Sequence, residues 1–329
     1  MTEEQLQQKL QQYYHIIKTQ QTDPVTLYLQ GLVVSGRQSI RSQLKVAAAI
    51  LKFEGELEQM PWNIIEYQHL STIRNTLQEQ KKAANTINLN LSAIKGVMKA
   101  CFNLGLISAD QLMRLNDIKR VRGKRLPSGR SLSTQEIKKL YRACTQDNSP
   151  AGKRDYAIIA VMLATGIRRS EVIAIDVDDY NTRSGLLNIQ SGKGNKQRTA
   201  YLNAETRKIV KQWLNARATG KQEGNGSGAL FNPITKTGSI QNRQLSSHAV
   251  YEVIRHRAEQ ACIEKCRPHD LRRTFVTKLL EAGVDINTTR QLAGHTEIQA
   301  TLRYDLRDEK SQKRAMQQLT KKTARSGLN

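Results

Sequence analysis

Five side chains in the second half of the chain have the types and spacing needed to bind and attack a phosphate. Arg168 follows a glycine that ends a hydrophobic helix, while His269 and Arg272 are three residues apart and therefore share one helix face. His295 follows a glycine at a predicted helix end, and Tyr304 lies on a short polar helix nine residues later. A planar guanidinium donates two hydrogen bonds to a phosphate and stays charged. Such cations would favour attack by a tyrosine hydroxyl, whose pKa is otherwise near ~10.

The net charge of the 329-residue chain is +23, and it is concentrated in the same part of the sequence. Residues 1–118 hold 12 Lys/Arg against 10 Asp/Glu, whereas residues 119–329 hold 40 against 19. A solvated surface with surplus lysines explains this asymmetry less well than a polyanionic partner, most simply nucleic acid.

The first part of the chain is predicted to be entirely helical. Residues 1–22 are polar and Gln-rich and form a frayed helix or an N-terminal tail; residues 23–118 are predicted as a bundle of four or five short helices. The clearest helix begins at Asn85 or Thr86. It places five apolar residues in one stripe typical of a core: Ile87, Leu91, Ile94, Met98 and Cys101.

Residues 119–130 form a basic linker that marks the domain boundary. Six of these twelve residues are basic, none is acidic, and two glycines and a proline prevent a buried face. A merely solvated linker and a segment that follows a DNA backbone explain this composition equally well.

Residues 131–308 are predicted to form a mixed α/β domain. Ser133 and Glu136 form a capping box that starts a helix. Short strands near 187–189 and 199–202 flank a Gly-Lys-Gly-Asn-Lys hairpin at 192–196, and helices follow to Tyr304. The fold class is therefore mainly α: an all-helical N-terminal domain and a mixed α/β C-terminal domain with a small antiparallel sheet.

The sequence gives no sign of a membrane span, a leader or a metal site. No apolar run approaches the roughly 20 residues of a span, and the first residues lack signal-peptide character. We therefore expect a cytoplasmic protein. Cys262 and Cys266 lie four residues apart near His269, but without a second ligand pair they are better interpreted as spectator thiols. We expect no metal.

Four separated signatures occur in the order found in the tyrosine recombinases, the tyrosine class of integrases. They are Thr-Gly-Ile-Arg-Arg-Ser-Glu at 165–171, the hairpin at 192–196, His-Asp-Leu-Arg-Arg-Thr-Phe at 269–275, and Leu-Ala-Gly-His at 292–295 followed by Tyr304. One such motif alone is weak, whereas four in order are specific. The chain resembles this family over about residues 24–310, and residues 23–118 are similar to its helical, SAM-like core-binding domain that contacts DNA.

The resemblance implies a site-specific recombinase or integrase that cuts and rejoins DNA strands, with residues 131–308 as its catalytic domain. Arg168, Arg272 and His295 would bind the scissile phosphate and stabilise the second charge that attack creates. Glu171 would orient the site rather than react.

The resemblance also implies the covalent chemistry. Tyr304 would be the nucleophile that forms a 3′-phosphotyrosyl link, His269 would accept its proton, and Lys193 would protonate the leaving 5′-oxygen as general acid. Because the bond energy is held in the phosphotyrosine, we expect no cofactor, neither metal nor ATP.

Neighbouring residues compete for several of these roles. Arg169 and Arg273 adjoin the two chosen arginines, although the motif selects the first of each pair. Lys196 competes with the lysine on the same turn. Tyr251 and Tyr201 are rival tyrosines, but neither follows Gly-His at the family's distance.

Exposed cations of the helical part and the linker are candidates to contact DNA. They are Arg37, Arg41, Lys45, Lys95, Lys99, Lys119, Arg120, Arg122, Lys124 and Arg125.

The resemblance leaves the biological role open. The short stretch before the helical domain leaves no room for an arm-binding domain, so the layout is similar to two-domain Xer-type or mobile-element integrases. Residues 303–309 favour a mobile element, with Xer-type chromosome or plasmid dimer resolution as the alternative. A type IB topoisomerase-like enzyme and an inactive DNA-binding protein are alternatives of other classes.

The family's partners are implied as well. They are double-stranded DNA with specific recombination sites, a homotetramer on paired sites, and an accessory DNA-bending protein or partner recombinase. The basic tail at 309–329 would be exchanged between protomers, and the protein would be nucleoid-associated and of bacterial type.

Overall fold

The computed structural model describes residues 2–123, 129–190, 197–220, 222–223 and 228–302. The chain divides into two compact units, Met1–Leu126 and Pro127–Asn329, and the division falls within the segment 119–130. Lys193, Lys196, Tyr304, Lys124, Arg125 and the tail at 309–329 lie outside the described residues.

The described part of the first unit is helical. Its helices are α1 (Glu3–Gln20), α2 (Pro24–Gln30), α3 (Val34–Ile50), α4 (Tyr67–Glu79), α5 (Ala84–Asn103) and α6 (Ala109–Asn116), with a 3₁₀ turn at Trp62–Ile64. Five of these helices, α2 to α6, lie within residues 23–118, in agreement with the four or five predicted there. The core stripe predicted for α5 is confirmed, because none of its five side chains is more than 3% exposed. This stripe packs α5 against α2, α3 and α4.

The N-terminal segment is a docked helix rather than a tail. Thr2 caps α1 with its side chain, and the Tyr13 ring is fully buried. The Tyr13 hydroxyl donates to the Met60 carbonyl at 2.6 Å, and Asn63 Nδ2 donates to the Lys9 carbonyl at 2.7 Å. Of the two alternatives for residues 1–22, a frayed helix or a polar tail, the structure has a helix, and one buried aromatic fastens it.

The second unit contains helices α7 (Thr134–Thr145), α8 (Pro150–Thr165), α9 (Arg169–Ile173), α10 (Ala204–Thr219), α11 (Ser247–Gln260), α12 (Pro268–Glu281), α13 (Ile286–Ala293) and α14 (Ile298–Leu302). The predicted capping box is present, with Ser133 Oγ accepting from the Glu136 N–H at 3.2 Å. The sequence predicts a helix over 296–304; within the described residues, which end at 302, α14 begins at Ile298.

The sheet of the second unit is small. β1 (Tyr180–Asn181), β2 (Leu186–Ile189) and β3 (Arg198–Tyr201) are antiparallel in that order, with Leu186 opposite Tyr201 and Ile189 opposite Arg198. β4 (Gln222–Glu223) and β5 (Ile240–Gln241) form a short parallel pair. The predicted hairpin strands are confirmed as β2 and β3, and so is the fold class, mainly α with a small antiparallel sheet.

Helix α8 lies at the centre of this unit. Ser149 caps it, Pro150 occupies its first turn, and Gly166 ends it in the left-handed conformation at φ 59°. Residues 157–162 are buried on every side because α7, α10, α11 and α12 surround them. The end of this rigid helix therefore gives the residues after Gly166 a fixed position.

Within the described ranges, no helix is long and apolar enough to cross a membrane.

Candidate active site

Arg168 occupies the turn between α8 and α9. Its backbone N–H donates to Glu171 Oε2 at 2.9 Å, and its Nη1 donates to Glu171 Oε1 at 2.7 Å. Its Nη2 donates to the Gly294 carbonyl at 3.0 Å. The side chain is still 42% exposed, so the guanidinium is oriented by the protein and accessible to a ligand.

Glu171 is a buried carboxylate shared by two arginines. Arg198 donates to its Oε2 from Nη1 and Nη2 at 3.3 and 3.2 Å, beside the contacts from Arg168. Burial alone would raise the pKa of Glu171, but the Arg198 charge and the hydrogen bonds from Arg168 outweigh it and hold the pKa below its usual value. Glu171 therefore stays ionised and fixes both guanidiniums.

Arg272 reaches the same turn from α12. It is only 3% exposed, and its Nη1 donates to the Gly166 carbonyl at 2.6 Å. Gly166 permits this approach, because a Cβ there would lie 2.3 Å from Cδ1 of Phe275 on α12. The left-handed glycine thus allows α12 to pack directly against the end of α8.

The neighbouring arginines point elsewhere. Arg273 Nη1 donates to the Gly129 carbonyl at 3.0 Å, and Arg169 is exposed at the start of α9. The contacts with Gly166 and Gly294 are made by Arg272 and Arg168, which favours the first arginine of each pair.

His295 follows α13, which Gly294 ends at φ 64°. Its ring is 8% exposed, and its Nδ1 lies 2.8 Å from the Thr301 hydroxyl. Burial, followed by the charges of Arg272 and Arg168, lowers the pKa of His295 from 6.5 to about 4. The imidazole is therefore neutral at pH 7.

His269 is an exposed residue in the otherwise buried N-terminal turn of α12. Partial removal from water and the charge of Arg272 lower its pKa, with Asp270 opposing. Arg168 contributes to the pKa shifts of both histidines, and Arg198 to that of His295. The structure thus brings together a cluster of three arginines and two histidines, made of Arg168, Arg198, Arg272, His269 and His295.

Two predicted site residues, Lys193 and Tyr304, lie outside the described residues. The described residues next to both segments adjoin this cluster. Ile189 and Arg198 are paired at the two ends of the hairpin segment, and Thr301, which contacts His295, is three residues before Tyr304.

Sequence reasoning missed Arg198. A signal for it exists in the strand alternation, because Arg198 shares a face of β3 with Ala200, which is buried. A charged residue on the buried face of a strand indicates a charged partner inside. Glu171 is that partner.

The DNA-contact candidates fall into two groups. Arg37 donates to the Leu32 and Gln30 carbonyls, Arg41 pairs with both oxygens of Glu58, and Lys95 donates to the Asn116 and Ile118 carbonyls. These three help to hold the first unit together. The exposed side chains are Lys45, Lys99, Lys119, Arg120 and Arg122.

No cluster of three or more metal-ligating side chains occurs among the described residues. Cys266 is buried and Cys262 is exposed; burial raises the pKa of the Cys266 thiol to about 12, so the sulfur stays protonated.

Two arginines and two neutral histidines around one turn define a site for an anion that gains charge during a reaction, as a phosphate does in phosphoryl transfer. Such a set of donors suits the chemistry of phosphoryl transfer.

The comparisons with known proteins give the family. Residues 130–310 match the family described as the phage integrase family. The chain is 30% identical over 277 residues to tyrosine recombinase XerD of Pseudomonas aeruginosa, covering 84% of this chain and 87% of that one. It is 28% identical over 249 residues to tyrosine recombinase XerC of Alcanivorax borkumensis, covering 75% and 77%.

A solved integrase has the same fold. The Tn1549 transposon integrase, in complex with a circular intermediate DNA, aligns with a TM-score of 0.63 at 16% identity, over 90% of this chain and 99% of that one. The chain belongs to the phage integrase family. It is a tyrosine recombinase, a site-specific enzyme that cuts and rejoins DNA strands.

Proposed function

We propose that the scissile phosphate of a DNA strand binds to Arg168, Arg272 and His295. Two fixed guanidiniums neutralise the phosphate and the second charge that develops during attack. A neutral His295 can donate its Nε2–H to the same oxygens. The contacts of Arg168 and Arg272 with the α8–α9 turn support this role, because they hold the donors in place before the substrate arrives.

Tyr304 is the nucleophile of the proposed reaction. Its oxygen attacks phosphorus and forms a 3′-phosphotyrosyl bond, while the bond to the 5′-oxygen breaks. His269 accepts the phenol proton, and Lys193 gives a proton to the leaving oxygen. The lowered pKa of His269 supports its role, because a ring that is neutral at pH 7 can accept a proton. Rejoining reverses these steps with another strand's 5′-hydroxyl.

Glu171 acts through the arginines. It is buried, and its two oxygens accept hydrogen bonds from Arg168 and Arg198, which a proton-transfer role would break. We assign it a positioning role.

One observation carries this proposal. Arg168, His269, Arg272 and His295 come from three separate parts of the chain, and the fold brings them to the α8–α9 turn. Packing alone gives no reason to gather two guanidiniums and two titratable rings at one place in the fold.

A nicked suicide substrate tests the proposal. Because the nick lets the 5′-ended fragment diffuse away, the covalent adduct accumulates. Wild type should form the adduct in EDTA, whereas Tyr304→Phe should bind the site and form none. Arg272→Gln should bind but form adduct at least about 100-fold more slowly, as for loss of one preorganised charge-stabilising donor.

Each other result has a clear meaning. An adduct in Tyr304→Phe would overturn the nucleophile, and a reaction abolished by EDTA would indicate a metal nuclease. Relaxation of supercoiled DNA that lacks a specific site would favour the topoisomerase-like alternative.

The DNA substrate and the assembly extend the proposal. The partner is double-stranded DNA, contacted by the helical segment 23–118 as well as the catalytic segment 131–308, and supported by the charge of the chain. Lys45, Lys99, Lys119, Arg120 and Arg122 are exposed and suited to phosphate contacts.

We also propose a tetramer on two paired sites, with the tail at 309–329 exchanged between protomers. Deleting residues 306–329 should abolish pairing of two site-bearing fragments and preserve binding to one. Unchanged pairing would contradict the exchange. We also propose that an accessory DNA-bending protein or a partner recombinase takes part. If so, the full-length chain alone should not pair two site-bearing fragments, and adding that protein should restore pairing.

The biological role has two candidates. We propose integration or excision of a mobile element, on the basis of residues 303–309. Xer-type resolution of DNA dimers is the second candidate, favoured by the identity to XerD and XerC. Recombination between two unlike sites on separate molecules supports the first; reaction only between two copies of one site supports the second.

A further inference from the structure

Arg198 is a nearly buried cation that substrate does not need to reach. It is the first residue of β3, opposite Ile189, and its side chain is 14% exposed. Burial is the largest influence on it and lowers its pKa, while Glu171 opposes that shift. A charge held in this position requires a compensating partner, which is Glu171.

The contacts with Glu171 divide the carboxylate between two arginines. Both terminal nitrogens of Arg198 donate to Oε2, which also accepts from the Arg168 backbone N–H, whereas the Arg168 side chain donates to Oε1. Arg198 therefore holds the carboxylate in the orientation that Arg168 uses. Without it, Glu171 could rotate and take the Arg168 guanidinium with it.

Arg198 also lies against the segment that leads to His295. A Cβ at Gly294 would be 2.7 Å from Arg198 Nε and 2.8 Å from its Cδ, so the side chain packs on bare backbone. The carbonyl of the same glycine accepts from Arg168 Nη2. A glycine before His295 is thus needed both for its positive φ and for the space that Arg198 fills.

We propose that Arg198 is a positioning residue that couples β3 to Arg168 and His295. The inference rests on the proposed function, since it assigns Arg198 a role in aiming the phosphate-binding donors. Arg198 itself does not contact the substrate; it acts through Glu171 and Gly294.

Kinetics of adduct formation test this role in the full chain. Arg198→Gln should lower the rate on the suicide substrate on the order of 100-fold, as a misplacement of about 1 Å does, while binding to the site is retained. Arg198→Lys keeps the charge but not the two-nitrogen fork, and should fall between Gln and wild type. Arg255→Gln is the matched control, because Arg255 also donates two hydrogen bonds to one glutamate oxygen, Glu252 Oε2, but on the exposed face of α11.

A double variant separates positioning from independent damage. If Arg198 acts through Glu171, Arg198→Gln/Glu171→Gln should lose about as much rate as the worse single variant. If the fold-loss in the double variant equals the product of the two single fold-losses, the two residues act independently and the coupling is overturned.

A second readout follows the ring of His295 by NMR titration. His295 faces the charges of Arg272, Arg168, His269 and Arg198. Removing the Arg198 charge should raise the His295 titration midpoint, and Arg255→Gln should leave it unchanged. An unmoved midpoint in folded Arg198→Gln would contradict the close approach on which the proposal rests.

The outcomes also separate this inference from the proposed function. Wild-type rates in Arg198→Gln, with Tyr304→Phe inactive, would overturn the inference alone. If Arg198→Gln does not fold, Arg198→Lys decides: a folded, site-binding Lys variant with the wild-type rate overturns the proposal. An adduct in Tyr304→Phe would overturn the proposed function, and with it the inference that rests on that function.

Discussion

The Nδ1 atom of His295 lies 2.8 Å from the hydroxyl of Thr301, and both side chains are buried. When that hydroxyl donates to Nδ1, the proton of the neutral ring is on Nε2, which is the tautomer able to donate to a phosphate. The same contact joins His295, the proposed hydrogen-bond donor to the phosphate, to helix α14 at a position three residues before Tyr304.

Thr301→Val should therefore slow adduct formation about tenfold, because it removes one hydrogen bond worth roughly 1 kcal/mol and the preference for this tautomer. Nitrogen chemical shifts of His295 should show the two tautomers becoming mixed. Thr301→Ser keeps the hydroxyl and serves as the control. Adduct formation at the wild-type rate in Thr301→Val would mean that the contact only fills space.

The depressed pKa of His295 predicts a pH-dependent stability. The unfolded ring protonates near 6.5 and the folded ring near about 4, so between these values the unfolded state binds more protons. Stability is fully present above pH 6.5 and falls as the pH is lowered towards 4. For this one group the loss between pH 7.5 and pH 5 is about 2 kcal/mol at most.

Thermal or denaturant unfolding at the two pH values checks this prediction. His295→Gln should lose less stability on acidification than wild type, because the titrating ring is gone. His248→Gln is the control, because its side chain is 81% exposed; this variant should lose as much stability on acidification as wild type. Equal pH sensitivity in His295→Gln and wild type would show that His295 is not held neutral by the fold.

The third prediction concerns Gly166, which combines a positive φ with close packing against Phe275. An alanine there must adopt φ near 59° and would place its Cβ 2.3 Å from Cδ1 of Phe275. We expect Gly166→Ala to lower the free energy of unfolding by about 1–3 kcal/mol for overpacking, in addition to the strain of positive φ. Adduct formation should fall as well, because Arg272 bonds to the carbonyl of this residue.

Gly283→Ala is the matched control in the same unit. Gly283 also has a positive φ, 85°, but nothing lies within 4 Å of its Cβ position. The difference between the two variants in urea unfolding isolates the clash with Phe275. Equal losses would mean that α12 moves away at little cost, and that Gly166 does not set the position of Arg272.

Much of the fold follows from local sequence signals. The α5 stripe, the Ser133 capping box and the β2–β3 hairpin strands each depend on residues a few positions apart, and each appears in the structure. Periodicity and capping are local, so they can be recognised without knowing what the element packs against.

Features that depend on distant contacts could not be predicted in this way. α1 is polar along most of its length, and its docking depends on the Tyr13 hydroxyl reaching Met60. β1 and β5 have two residues each, too few for alternation to be detected. The motif residues of the site were recognisable one by one, whereas Arg198 stands outside every motif and becomes significant only when Glu171 lies beside it.

The most direct test of the central claim is to identify the tyrosine that becomes joined to DNA. Wild-type adduct from the suicide substrate is digested with trypsin and nuclease, and the modified peptide is sequenced by mass spectrometry. Cleavage after Arg303 and Arg307 places Tyr304 in a peptide of residues 304–307, distinct from the peptides that carry Tyr201 and Tyr251. We predict a phosphotyrosyl nucleotide on Tyr304, linked through the 3′-phosphate. Modification of Tyr201 or Tyr251, or a 5′ linkage, would contradict the proposed arrangement of nucleophile and phosphate-binding residues.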